Sequence, residues 1–132
     1  MKQTFCLFLA LFLCCSLPVH ALAEIVPMSN EDITSQCSLT VSGKSLSATA
    51  RIQTRDIAET LKITNLSIQE YRDGKWVSVK QTSGTKSNSF SFSKSLSYTG
   101  RSGYKYRAVA KFSITVNGVK KFLSRTSTSI QL

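Results

Sequence analysis

Few groups in this chain could move a proton or attack a carbonyl. Three Ser-x-x-Lys spacings occur, at Ser83/Lys86, Ser91/Lys94 and Ser102/Lys105. In serine acyl-transferases that spacing works because a helix turns both side chains onto one face. Here all three fall in strand or turn sequence within a chain rich in both residue types, so they read as coincidence. Two carboxylate pairs remain, Asp56 with Glu59 and Glu70 with Asp73. Glycosidase chemistry needs two carboxyls facing one bond across a cleft, whereas Asp56 and Glu59 sit on a short connection and Asp73 belongs to a turn. They read as solvated acids. The single histidine, His20, lies in an N-terminal segment expected to be removed, which leaves no Ser-His or Cys-His nucleophile pair and no histidine ligand for zinc. No catalytic residue, metal ligand or cofactor is assigned, and an enzyme working through surface carboxylates ranks last among the functions considered.

Two features could bind rather than react. Tyr71 and Trp76 flank Asp73-Gly74; a two-residue turn there sets the rings directly opposite each other, beside Arg72 and Lys75, where they could stack on a sugar or simply stabilise the hairpin. Lys105, Arg107 and Lys111 alternate along one strand, and Lys121 and Arg125 follow on the next. Like charges on neighbouring strands repel unless something anionic meets them, although a basic edge can also serve only to keep strands from aggregating.

The elements that carry these residues are strands. From Cys37 onward apolar residues alternate with Ser, Thr and charged residues, the period-two mark of half-buried strands. Turn signals divide the region into seven: around Leu39 and Val41; Leu46 to Ile52; Leu61 to Ile68, with a change of parity near Asn65 that implies a bulge; Trp76 to Val79; Phe90 to Tyr98; Tyr104 to Val116; and a last strand after Asn117-Gly118. Thr82 to Asn88 is rich in Gly, Ser and Lys and reads as a mobile loop. In the sixth strand Tyr104, Tyr106, Ala108, Ala110, Phe112, Ile114 and Val116 occupy alternate positions. A two-residue turn after it would pair Val116 with Val119 and put Lys121 and Arg125 on the core face. A three-residue bulged turn instead sends Phe122 inward beside Phe112, and this is the register expected.

The N terminus carries Lys2, an apolar run from Phe5 to Leu17, and Ala21-Leu22-Ala23, the pattern of a secretory signal helix cleaved after Ala23. Residues 1–23 are therefore expected to be a signal peptide, 24–36 a flexible leader and 37–132 one β domain, secreted and without a transmembrane segment in its mature form. Of four cysteines only Cys37 lies beyond residue 23, so no internal disulfide forms; Cys37 is either a small buried hydrophobe or an intermolecular partner. The mature chain has net charge +9, and from Gly74 to Leu132 there are eleven basic residues and no acid. Such a field draws in anions and weakens with salt.

Ile68-Gln69-Glu70-Tyr71-Arg72 followed by Asp73-Gly74-Lys75-Trp76-Val77-Ser78-Val79 resembles the third and fourth strands of a fibronectin type III domain. Gly103-Tyr104-Lys105-Tyr106-Arg107-Ala108-Val109-Ala110 is similar to that family's sixth strand, with Tyr104 at the tyrosine-corner position. Arg101-Ser102-Gly103 replaces the usual Pro-Gly, and the early-strand tryptophan is missing. The "dG-W" hairpin with a late "G-Y-x-Y-R" strand also resembles small secreted bacterial proteins of unknown function. The resemblance implies an all-β, seven-stranded, two-sheet antiparallel sandwich of immunoglobulin or fibronectin III type and supplies no catalytic residue. The expected function is a secreted, non-enzymatic binding or adhesion module that recognises an anionic or glycan-bearing envelope polymer through Lys105, Arg107, Lys111, Lys121 and Arg125, with Tyr71 and Trp76. The alternative is a structural or regulatory partner of another secreted protein. No recognition motif marks a dedicated nucleic-acid site.

Overall fold

The computed structural model describes residues 32–132; the expected signal peptide and residues 24–31 of the expected leader lie outside the described residues. The remainder is antiparallel β structure: β1 (Ile33–Ser42), β2 (Ser45–Arg72), β3 (Lys75–Thr99), β4 (Lys105–Val116), β5 (Val119–Thr126) and β6 (Ile130–Gln131). The order is β1-β2-β4-β5, with β3 on the other edge of β2 and β6 beside β4. This is one hydrogen-bonded sheet of six strands rather than the seven strands in two sheets expected.

The difference comes from two long strands. The expected second and third strands are the halves of β2, and the fourth and fifth are the halves of β3. β2 pairs with β1 along its first half and with β4 along its second, while β3 accompanies both halves. The register breaks between Gln53 and Ala58, where Thr54 turns its hydroxyl back to donate to the Asp56 carbonyl at 2.7 Å. There the sheet curls, so that β1 also approaches β4 and β5. Thr82 to Asn88, expected as a mobile loop, is strand paired with β2. Its Ser, Thr and Lys residues are those of a solvated edge strand, and the long partner overrides their turn propensity. β1 begins at Ile33, four residues before the expected domain boundary.

Inside the curl lie Leu46, Ala48, Ala50 and Ile52 from the first half of β2, Leu61, Ile63, Leu66 and Ile68 from its second half, and the alternating Tyr106, Ala108, Ala110, Phe112, Ile114 and Val116 of β4. Period-two burial along β4 follows the sequence pattern. Parity in β2 changes where Thr64 is left without a β4 partner between Ile63 and Asn65, the bulge expected there. Cys37 packs half-buried against this core; burial pushes its thiol pKa up, opposed by a backbone hydrogen bond with Ser127.

The final hairpin departs from expectation. Val116 pairs with Val119, and Asn117 and Gly118 both adopt positive φ, 50° and 73°, which is the two-residue turn favoured by Asn-Gly. Turn chemistry decides the register, and the charges it sends toward the core side are tolerated because β5 is an edge strand whose inward positions lie at the rim. Phe122 consequently faces outward, 70% exposed, and Leu123 takes the place opposite Phe112.

Candidate functional site

The outward face of the second half of β2, with β3 and β4 on either side, gathers the aromatic and basic residues into one surface. The Asp73-Gly74 turn pairs Tyr71 with Trp76, and their rings sit 5.1 Å apart at 59°. Across β2, Gln69 pairs with Arg107. The Arg107 guanidinium lies 4.3 Å from the Trp76 ring centroid while its Nε donates to Gln69 Oε1 at 2.8 Å. Two features some thirty residues apart in sequence thus meet through the middle strand.

Alternation places Lys105 and Lys111 on the same face of β4 as Arg107, and both are exposed. Lys62, opposite Ser113, joins them. Among the described residues none of Lys62, Lys105, Arg107 and Lys111 is ion-paired with a carboxylate. Farther along, exposed Phe122 pairs with Ser113, and Lys120 Nζ lies 5.7 Å from the Phe122 ring centroid. Beside Phe122 a shallow depression of about 360 Å³ is lined by Thr64, Lys111, Phe112, Leu123 and Ser124 as well. The bulge residue Thr64 is fixed there by donating to the Lys111 carbonyl at 3.0 Å.

Lys121 and Arg125 do not join this surface. The two-residue turn sets them opposite Ile114 and Ala110, on the core-facing side of β5, with Lys121 half-buried and Arg125 exposed. The expected five-cation face is therefore three of those residues, Lys105, Arg107 and Lys111, with Lys62 added.

A second constellation was hidden in the sequence. Glu70, expected as a solvated acid, is fully buried. Arg72 Nε donates to its Oε1 at 2.5 Å and Arg101 Nη2 to the same oxygen at 2.6 Å, while the Tyr106 hydroxyl donates to Oε2 at 2.6 Å. Burial alone would raise the carboxyl pKa; the hydrogen bonds from Arg101, Arg72 and Tyr106 outweigh it and hold it at about 2. The Tyr106 phenol is pushed up by burial and by its bond to Glu70. Its oxygen also accepts the Arg101 N–H at 2.8 Å. A tyrosine hydroxyl thus bonds upstream backbone at Tyr106, whereas Tyr104, the position that resembles the tyrosine corner, lies with the Arg101 guanidinium 4.3 Å above its ring. The signal was present as an acid at an inward parity of β2, opposite a core tyrosine.

The other acids among the described residues stay near the surface. Asp56 and Glu59 lie in β2 rather than on a connection, and Glu59 Oε1 accepts the Gly118 N–H at 2.9 Å, bracing the last turn. Among the described residues no three His, Cys, Asp or Glu side chains gather as a metal site would require, and no helix is long and apolar enough to cross a membrane.

No protein-family model matches the chain, and no curated protein does. Among solved structures, it is similar to the sporulation control protein Spo0M from Bacillus subtilis, with a TM-score of 0.39 and 12% identity over 73% of this chain and 47% of that one. It spans less than half the length of Spo0M. A protein from Archaeoglobus fulgidus matches with a TM-score of 0.34 and 10% identity, over 76% of this chain and 94% of that one. Neither likeness assigns a family or an activity.

Proposed function

We propose that the chain is exported, cleaved after Ala23, and acts at the cell envelope as a non-enzymatic binding or adhesion module for an anionic or glycan-bearing polymer. Its two curled halves are read as the counterparts of the two sheets of an immunoglobulin or fibronectin III sandwich. The observation that carries this function is the outward cluster of Arg107 on Trp76, with Tyr71 alongside and Lys105, Lys111 and Lys62 around it without carboxylate partners. Unneutralised cations on adjacent strands destabilise a sheet unless an anion offsets them, and aromatic rings beside them offer a sugar an apolar platform.

The test is retention of the purified mature protein on isolated cell wall and on an immobilised anionic polysaccharide, as salt is raised. Retention should fall steeply over the range in which the Debye length shrinks from about 10 to about 3 Å. Reversing Lys105, Arg107 and Lys111 to Glu should lower it roughly tenfold or more at low salt. Retention indifferent to both changes overturns the proposal.

A second reading, a partner of another secreted protein, is favoured by the edge strand β5, where Val119 and Phe122 are exposed. A stoichiometric protein complex that survives removal of glycans and is lost on Phe122→Ser would support it.

A further inference from the structure

We infer that Arg107 is the specificity-determining residue of this face, and that the polymer it selects is an acidic polysaccharide whose charge is an oxyanion carried on the sugar ring and able to meet the guanidinium with two oxygens. The inference rests on the envelope-polymer reading and narrows it. Arg107 is held on two sides: its Nε is spent on Gln69 Oε1 at 2.8 Å, and its plane centre sits 4.3 Å from the Trp76 ring centroid. A long side chain normally loses rotamer freedom when a ligand fixes it. Here much of that ordering is in place before any ligand arrives.

With Nε occupied, the N–H groups left for a ligand are those of the two terminal nitrogens. Together they form a planar fork that matches two oxygens of a carboxylate or of a phosphate or sulfate ester. A protein that needed only positive charge would require neither the Gln69 bond nor the Trp76 stack. Lys105 and Lys111 supply that plain charge, two residues before and four after Arg107 on the same face of β4, at about 7 and about 13 Å along the strand.

Ring and charge must also come close together in the ligand. Trp76 is in contact with the guanidinium, and Tyr71 lies 5.1 Å beyond Trp76, so a group bound at the fork brings its own scaffold over or beside these rings. A sugar bearing a carboxylate or an ester oxyanion offers both within one monomer. The depression beside Phe122, partly lined by Lys111, provides an apolar contact and a cation for a later monomer of the same chain. Binding should therefore strengthen as the oligosaccharide becomes long enough to reach from Arg107 to Lys111.

The test compares polygalacturonate, its fully methyl-esterified neutral form, dextran sulfate and inorganic polyphosphate as ligands for the purified mature protein, by titration calorimetry or affinity electrophoresis. The wild type should bind polygalacturonate and dextran sulfate, whose charges sit on sugars, roughly tenfold tighter than polyphosphate at equal charge concentration, and the methyl ester far more weakly. Arg107→Lys, which keeps the charge and removes the fork, should lose about tenfold for both sugar polyanions. Gln69→Ala keeps the guanidinium but releases its Nε, and should move in the same direction, which covers the case in which Arg107→Lys does not fold. Polyphosphate bound as tightly as the sugar polyanions, or unchanged polygalacturonate affinity in both variants, overturns the inference. If both variants are silent while reversal of Lys105, Arg107 and Lys111 still abolishes retention, only this inference fails. If the triple reversal is silent too, the broader function fails with it.

Discussion

Glu70→Gln is the sharpest test of the structure, because it keeps the size and removes only the charge. In the folded protein the carboxylate takes Nε of Arg72, Nη2 of Arg101 and the Tyr106 hydroxyl, and its pKa lies at about 2 against an ordinary 4.5. At ~1.4 kcal/mol per pKa unit, that gap corresponds to about 3 kcal/mol of stability. The arginine side chains are 40% and 52% exposed, so solvent screens part of the interaction and about 2 kcal/mol is the expected loss. The sign with pH follows from the direction of the shift. A depressed carboxyl stabilises the fold fully above its unfolded pKa, and that stabilisation fades as pH falls from about 4.5 toward about 2. Urea unfolding of wild type and variant should therefore differ by about 2 kcal/mol near neutral pH and by less than half of that at roughly pH 3. A gap below roughly 0.5 kcal/mol near neutrality, or one that does not shrink on acidification, refutes the buried ion cluster.

Two further measurements probe the packing. A Cβ on Gly100 would collide with Leu132 Cδ1 and meet Leu46 Cδ1 and Tyr106 Cε2, each at 3.1 Å. The Leu132 side chain can turn aside, but Leu46 and Tyr106 are fully buried, so Gly100→Ala should destabilise by about 1–3 kcal/mol, read as a drop in Tm. A raised Tm, as reduced freedom of the unfolded chain alone would give, contradicts the close approach. Cys37, with its thiol pKa raised by burial, should alkylate at mildly alkaline pH roughly tenfold more slowly in the folded protein than in urea. Prompt labelling, or a disulfide-linked dimer on a non-reducing gel, counts against a packed thiol.

Period-two burial along β4 was legible because it depends only on which residues are apolar, and the Tyr71–Trp76 opposition was legible because Asp-Gly specifies its own turn. The merging of four expected strands into β2 and β3 was not. Each long strand crosses a bend where Asp56, Ile57, Ser87 and Asn88 are exposed, and local sequence there resembles a loop; only the partner strand shows that the backbone stays paired. The last hairpin failed for a different reason. Two signals disagreed, Asn-Gly turn geometry against the cost of inward charges, and that cost was set as though β5 were central when it lies at an edge. Glu70 was misread because an acid two or three residues from a turn is ordinarily solvated, and its counter-charges come from Arg72 nearby and from Arg101, which only the fold brings close.

The inward and outward chemistry of the protein are tied at adjacent rungs of the same strand pair. Glu70 stands opposite Tyr106 and Gln69 opposite Arg107. On the inner side the rung is closed by the 2.6 Å bond from Tyr106 to Glu70, and on the outer side by the 2.8 Å bond from Arg107 to Gln69. Because successive residues of a strand point to opposite faces, the position of Arg107 is inherited from the backbone that Tyr106 and Glu70 anchor in the core. A register slip of one residue between β2 and β4 would break both bonds together and turn Arg107 inward. The buried carboxylate therefore serves the exposed face: by selecting one register it decides which side of β4 carries cations, and a binding surface made of flexible side chains obtains its order from a charge that no ligand touches.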